Sequence, residues 1–313
     1  MLPTKNGVGP SVVGLPKNDA KDEAATSRTQ WITITDFLVE RFPAIPRATW
    51  LQRMADGDVE DEFGAPVTPD RPYQGHIRVY YYRDLEVEPH IPFDEVILHQ
   101  DEHLIVIDKP HFLPVTPSGK YLQETVLVRL KRKLGLDDLV PIHRIDRDTA
   151  GLVLFSVQPA TRDAYQALFR DHAVHKTYEA IAPWRADLVF PLTRESRIVE
   201  DTSEGRGFMT QTEVEITPHA PANALTPIDV LEVKGNVARY QLKPVTGKRH
   251  QLRVHMHALG MPIQGDGIYP VLTPEGQIDY DNPLQLLAKS IEWVDPISRE
   301  VRRFESLQEL KLK

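Results

Sequence analysis

Two short segments of this 313-residue chain gather the side chains that acid–base or nucleophilic chemistry would need. The first is Pro141-Ile-His-Arg-Ile-Asp-Arg-Asp-Thr-Ala-Gly-Leu-Val-Leu-Phe155. It sets Asp146 and Asp148 among His143, Arg144 and Arg147, directly before an apolar run of strand length. A polar cluster at the mouth of a buried strand is where a rigid scaffold can present a reactive group. On composition alone, a surface turn with neutralising charges is the simpler reading. The second segment runs Thr246-Gly-Lys-Arg-His-Gln-Leu-Arg-Val-His-Met-His-Ala-Leu-Gly260. Its pattern predicts a helix capped by Thr246 and closed by Gly260. Leu252, Met256 and Leu259 fall at i, i+4 and i+7, a core-facing stripe. Arg253 lies beside that stripe, where it can reach inward to a buried carboxylate. His250, His255 and His257 are spaced by five and two, which does not put their rings on one helical face, so no metal site is expected.

The surrounding pattern supplies the elements that would position these groups. Val96-Ile-Leu-His99 and His103 to Ile107 are strand-like, with a turn at Gln100-Asp-Glu102 between them. Thr125 to Leu134 has helical spacing with basic residues outward, Gly151 to Val157 reads as a buried strand, and Pro159 to Arg170 as a helix with proline in its first turn. Lys176 to Ile181 is strand-like, Ile228–Val233 and Val237–Val245 flank a Gly235-Asn236 hairpin signal, and Leu286 to Trp293 is a late strand. Many strands with a few interspersed helices, outside a strict βαβ rhythm, favour an α+β fold with a mixed, largely antiparallel sheet. Before them, Phe37, Leu38 and Phe42 suit one short helix, Trp50, Leu51 and Met54 a second, and Ile77 to Tyr82 a strand. Residues 1–28 read as a flexible tail, 29–92 as a small module and linker, and 93–313 as the main domain.

Composition narrows the setting. The chain has no cysteine, which excludes thiolate catalysis, disulfides and Cys-ligated zinc. No run approaches the roughly 20 apolar residues of a membrane helix, and the N-terminus lacks a secretory pattern; a cytoplasmic protein is expected. The net charge is −8, against the usual basic balance of nucleic-acid binders. The charges are segregated, however. Asp56 to Glu102 holds 13 acids against three arginines, whereas Val233 to Gln264 holds no acid but six lysines and arginines. A phosphate backbone responds to the local field, so such a patch can serve despite the total.

Together the two segments resemble the signatures of the RluA family of pseudouridine synthases, here as His143-Arg-Ile-Asp-Arg-Asp-Thr-Ala-Gly151 and Thr246-Gly-Lys-Arg-His-Gln-Leu-Arg-Val-His255. Asp108-Lys-Pro with Val115, His175-Lys-Thr-Tyr-Glu-Ala180 and Leu259-Gly-Met-Pro-Ile-Gln-Gly-Asp-Gly-Ile-Tyr269 fit the same family in the same order. The resemblance runs from about Val96 to the end of the chain, and several motifs in order carry far more weight than one. Residues 31–90 resemble an S4 RNA-binding module through Phe37-Leu-Val-Glu-Arg-Phe42, Trp50-Leu-Gln-Arg53 and Gly57-Asp-Val59, with acidic Glu60-Asp-Glu62 where phosphate would lie.

The resemblance implies an isomerase that converts a uridine of ribosomal or transfer RNA to pseudouridine without cofactor or metal, acting as a monomer. It makes Asp146 the catalytic carboxylate, Arg253 the cation paired with it, and Tyr178 the residue that stacks on the base and helps remove the carbon-5 proton. It makes Leu252 a wall of the uracil pocket, and has Arg144 fill the gap left by the extruded base. His143, Lys176, Lys248, Arg249 and His250 are expected along the RNA. Two departures are Ala150 for a serine and Lys248 for an arginine; the second loses bidentate phosphate geometry. A relative that binds RNA without catalysis is one alternative. A glycosidase is another, but it needs a second carboxylate roughly 5–9.5 Å from the first, and Asp148 is too near in sequence to face Asp146.

Overall fold

A computed structural model describes residues 4–17, 31–83, 85, 87–203, 210–274 and 278–312. The chain forms two compact units, 1–88 and 89–313. The first contains β1 (Ser11–Gly14), α1 (Ile34–Arg41), α2 (Arg47–Ala55), β2 (Val59–Asp61) and β3 (Arg78–Tyr81). Its sheet has the antiparallel order β1-β3-β2. Thr33 and Asp36 form a reciprocal capping box that starts α1. Both helices bury one face, so that Ile34, Phe37, Leu38 and Trp50 join Val59 and Val79 in one core.

The expectation of a tail through residue 28 does not hold for Ser11–Gly14. These four residues pair with Tyr81 to Arg78, and Leu15 beside them is buried in the core. A strand this short has too few apolar residues to announce itself; its partner lies more than sixty residues away. Residues 18–30 lie outside the described residues.

The second unit contains β4 (Val96–Gln100), β5 (Leu104–Lys109), α3 (Val126–Leu134), β6 (Val140–Pro141), β7 (Ala150–Ser156), α4 (Pro159–Arg170), β8 (His175–Pro183), β9 (Leu192–Glu200), β10 (Gln211–Val214), β11 (Ala224–Lys234), β12 (Val237–Leu242), α5 (Gln251–Ala258), β13 (Leu286–Val294) and β14 (Val301–Glu305). Among the described residues these strands make one mixed sheet in the order β10-β9-β11-β12-β8-β13-β7-β5-β4, with β14 beside β13 and β6 beside β7. Every pairing is antiparallel except β13 with β7. The fold is α+β, as the pattern of strands and helices suggested. None of the described helices is long and apolar enough to cross a membrane.

The linker region is less free than its prolines implied. Ile91 is buried, and its amide donates to Glu124 at 3.0 Å. Strand β7 is buried along its whole length because it lies inside the sheet with apolar clusters on both faces. It begins four residues after Asp146, so that carboxylate stands on the loop feeding a fully enclosed strand.

Helix α5 starts later than the sequence suggests. His250 adopts a left-handed conformation (φ +55°), which a helix interior does not accommodate, and helical structure begins at Gln251. Thr246 does not cap it. Its hydroxyl donates to the Gln251 side-chain oxygen Oε1 (2.8 Å) and accepts from the Leu225 amide (2.9 Å). The Lys248 amide also donates to that Gln251 oxygen (3.0 Å), so residues 246–250 fold as a turn around the Gln251 side chain.

Candidate active site

Asp146, Arg253 and Asp266 come together from three separate segments. Arg253, fully enclosed on α5 at 2% exposure, donates through Nη1 to Asp146 Oδ2 at 3.1 Å. Its other nitrogens bind Asp266 bidentately, Nε to Oδ2 at 2.9 Å and Nη2 to Oδ1 at 2.6 Å. Asp266 is 1% exposed, whereas 27% of the Asp146 side chain remains open to solvent. The sequence assigned Arg253 to Asp146 and left Asp266 without a role, although it lies in the Gly265-Asp-Gly267 stretch of a recognised motif.

Asp266 is itself held. Its Oδ1 accepts from the Ile268 and Tyr269 amides at 2.8 and 3.0 Å. Gly265 before it has φ +72°, and a Cβ there would lie 2.3 Å from the Pro283 carbonyl oxygen, so the turn presenting Asp266 requires glycine. The Tyr269 ring lies against the Arg253 guanidinium, and its hydroxyl meets His250 Nδ1 at 3.1 Å and accepts from the Gln211 amide at 2.8 Å. His250 Nε2 stands 3.9 Å from Asp146 Oδ1.

The electrostatics favour a carboxylate at position 146. Burial by itself pushes Asp146 up, but His250, Arg253 and Arg249 together hold it below the ordinary carboxylate range. Burial pushes His250 down to about 4, so it is neutral at pH 7, and the lasting positive charge in contact is that of Arg253. Lys109 is buried and lowered to about 7, desolvation outweighing the opposing pull of Asp148 and Asp146. Its ammonium donates to the carbonyls of Pro110, Leu113 and Arg147, each at 2.9 Å, which ties the Asp146 loop to β5.

Tyr178 enters from β8, opposite Ala288 of β13. Burial, then the charge of Asp146, raises its phenol above the usual value, so it is protonated at rest. Leu252 is buried in the cluster that Tyr178 packs against. Tyr178, Lys176 and His143 line one small cavity with Leu152 and Ala288. Lys176 reaches toward the Thr246 carbonyl at 3.5 Å, and burial lowers it. Arg144, Lys248 and Arg249 are exposed.

Two side chains differ in setting from the sequence reading. His143, expected along the RNA, accepts from the Leu154 amide at 3.2 Å through Nε2 and stacks on Phe169. Burial, then Lys176, pushes it down to about 3. Its polar and aromatic contacts are with the protein's own strand and helix. Asp148, in the segment that composition alone reads as a surface turn, is largely covered and bound by Arg147 at 2.8 Å, while its carbonyl meets His111 Nδ1 at 2.7 Å. Ala150 is enclosed by Ile181, Leu287 and Leu310, where a serine hydroxyl would need a partner. The remaining histidine of the α5 interior, His255, meets the hydroxyls of Ser196 (2.9 Å) and Thr226 (3.0 Å) and is pushed down to about 4 by burial.

The mixed, largely antiparallel sheet with its flanking helices defines a fold of the RNA pseudouridylate synthase class. The model of that family matches residues 103–258, which include Asp146, Tyr178 and Arg253. The chain is 30% identical over 244 residues to an RNA pseudouridine synthase of Synechocystis sp., covering 75% of this chain and 78% of that protein. It is also 30% identical over 213 residues to the dual-specificity RNA pseudouridine synthase RluA of Pasteurella multocida, covering 65% and 89%. The human RNA pseudouridylate synthase domain-containing protein 1 shares the fold with a TM-score of 0.53 at 22% identity, over 71% of this chain and 86% of that one. The chain belongs to the RNA pseudouridine synthase family, in its RluA-type branch, and is an isomerase acting on RNA.

Proposed function

We propose that this protein isomerises a specific uridine of ribosomal or transfer RNA, with Asp146 as the catalytic carboxylate. The observation that carries the reading is the asymmetry of the ion pair. Arg253 is enclosed and doubly bound to Asp266, while Asp146 keeps an open side on which a nucleotide can sit.

The reaction breaks the bond between N1 and the sugar carbon C1′, turns the base, joins C5 to C1′, releases the C5 proton and returns a proton from solvent to N1. All other atoms stay within the nucleotide, so positioning and one ionised carboxylate can account for it without a cofactor. Asp146 acts on the sugar, by attack or by taking a proton; both need the anion that Arg253 maintains. Tyr178 stacks on the base beside Leu252 and takes part in removing the C5 proton. Exposed Arg144 fills the space the base vacates, offsetting part of the few kcal/mol that extrusion costs. Lys176, Lys248, Arg249 and His250 hold the strand around the flipped nucleotide. The protein acts as a monomer in the cytoplasm.

Tritium release from RNA labelled at uridine C5 tests the reading, with ribosomal and transfer pools that lack the modification supplied separately. Wild type should release tritium from one pool and Asp146→Asn from neither. Release by Asp146→Asn at the wild-type rate would remove Asp146 from the chemistry. A folded wild type inactive on both pools, yet retaining RNA, would favour a binding factor.

A further inference from the structure

We infer that Asp266 is a positioning residue that takes up most of the charge of Arg253, so that Asp146 is oriented by the guanidinium without being quenched by it. This rests on the reading of Asp146 as the catalytic carboxylate. The two carboxylates are not equivalent partners. Asp266 meets two nitrogens at 2.9 and 2.6 Å in bidentate geometry, whereas Asp146 meets one at 3.1 Å. Bidentate charge-assisted bonds are the stronger and more directional kind.

Asp266 does not depend on Arg253 for its place. Two backbone amides and a turn that admits only glycine at 265 fix it. Arg253 is therefore held whether or not Asp146 is in contact. When Asp146 moves toward a sugar carbon or proton, the cation stays where the remaining charge is needed. Such preorganisation avoids reorganisation during the reaction.

Charge balance points the same way. Two carboxylates share one guanidinium, which leaves one net negative charge on the trio. A lone Arg253–Asp146 pair would be neutral, and an enclosed neutral pair makes a poor nucleophile or base. The residue whose side chain stays open to solvent, Asp146, is the one left to react.

The groups facing Asp146 are Arg253 on α5, His250 and Arg249 on the preceding turn, Lys109 on β5, Tyr178 on β8 and Tyr269 beyond Asp266. Asp266 faces Arg253, His250 and Tyr269. Removing the charge of Asp266 frees Arg253 to act fully on Asp146, so Asp146 should ionise at still lower pH while its reactivity falls.

The test follows the carboxyl carbon of Asp146 by 13C NMR across pH in the full-length protein, assigned with Asp146→Asn, alongside turnover of C5-tritiated RNA. In Asp266→Asn the Asp146 titration should move to lower pH and kcat fall about 10- to 100-fold, with KM little changed. Asp266→Glu keeps the charge, so the titration should stay near wild type even where displaced geometry lowers kcat. His250→Gln separates the histidine that titrates near 4. An Asp146 titration that is unmoved or higher in a folded Asp266→Asn would overturn the inference without touching the proposed function. Full activity of Asp146→Asn would instead remove the function reading on which it rests.

Discussion

Gly151 and Tyr178 lie on either side of the same residue, Ala288. Gly151 pairs with it in parallel from β7 and Tyr178 pairs with it antiparallel from β8. One position of β13 thus sets the spacing between the strand that follows Asp146 and the strand that carries the tyrosine. Gly151 makes this approach possible, since at φ +106° a Cβ would lie 2.3 Å from the Ala288 carbonyl oxygen and 2.7 Å from its nitrogen. Backbone cannot yield as a flexible side chain can. Gly151→Ala is expected to cost about 3 kcal/mol or more, from strained backbone together with overpacking. Chemical denaturation measures this, and a loss under 1 kcal/mol would show that β7 and β13 can separate.

His143 should matter for stability more than for RNA affinity. Its Nε2 accepts the Leu154 amide, which needs the neutral ring, and the ring stacks on Phe169. The folded protein holds it down at about 3, against an ordinary value of 6.5. Because the unfolded chain takes up the proton first, stability from this group is complete above pH 6.5 and is lost as pH falls toward 3. His143→Gln should therefore reduce stability at pH 7 by roughly 1–3 kcal/mol and flatten the decline below pH 6.5 by up to about 1.4 kcal/mol per pH unit. Denaturation midpoints at several pH values give both quantities. A higher KM for RNA with unchanged stability would return His143 to the substrate surface.

How much of this was legible depends on where the partners lie. Strands β5, β7 and β13 declared themselves as short apolar runs, and β8, α3 and α4 through apolar residues that follow one period. Strand β9 did not. Its inward Ser196 meets buried His255, so a polar pair stands where alternation calls for an apolar side chain. The start of α5 was misread because Thr246-Gly247 imitates a cap, while the controlling feature is the left-handed backbone of His250. Asp146 and Arg253 were readable through their motifs. The grip of Asp266 was not, because it crosses from a loop to a helix thirteen residues earlier and no local periodicity joins them.

Replacing Arg253 should unmask the burial that opposes ionisation of Asp146. In Arg253→Met the cation goes and the enclosed volume is largely kept, but desolvation, which acts upward on Asp146, loses its main opponent at neutral pH. Asp146 is ionised above its folded value, so the acid limb of kcat/KM should move to higher pH, opposite to the shift expected for Asp266→Asn. Turnover at pH 7 should fall by about 100-fold. Asp266 is also left buried with two amides and no counter-ion, which costs stability on the order of 3–5 kcal/mol. The pH profile must therefore be read at a temperature where circular dichroism shows the variant folded. An acid limb that stays in place would mean that Arg253 does not govern the charge on Asp146.

Arg144 offers the cleanest separation of chemistry from base extrusion. It is exposed beside the Asp146 loop, so Arg144→Ala should leave the folded structure and its stability within about 0.5 kcal/mol of wild type. If its guanidinium stacks in the space left by the flipped base, its loss penalises substrates whose uridine must first be unstacked and unpaired. A flexible single-stranded oligonucleotide pays little of that cost. Turnover on structured RNA should then fall about tenfold, corresponding to roughly 1.4 kcal/mol, while turnover on the flexible oligonucleotide changes by less than threefold. Lys248→Ala with Arg249→Ala provides the contrast. Lost phosphate contacts should weaken both substrates alike and reduce the dependence of affinity on salt. Equal losses on structured and flexible RNA in Arg144→Ala would reassign that arginine to the phosphate backbone.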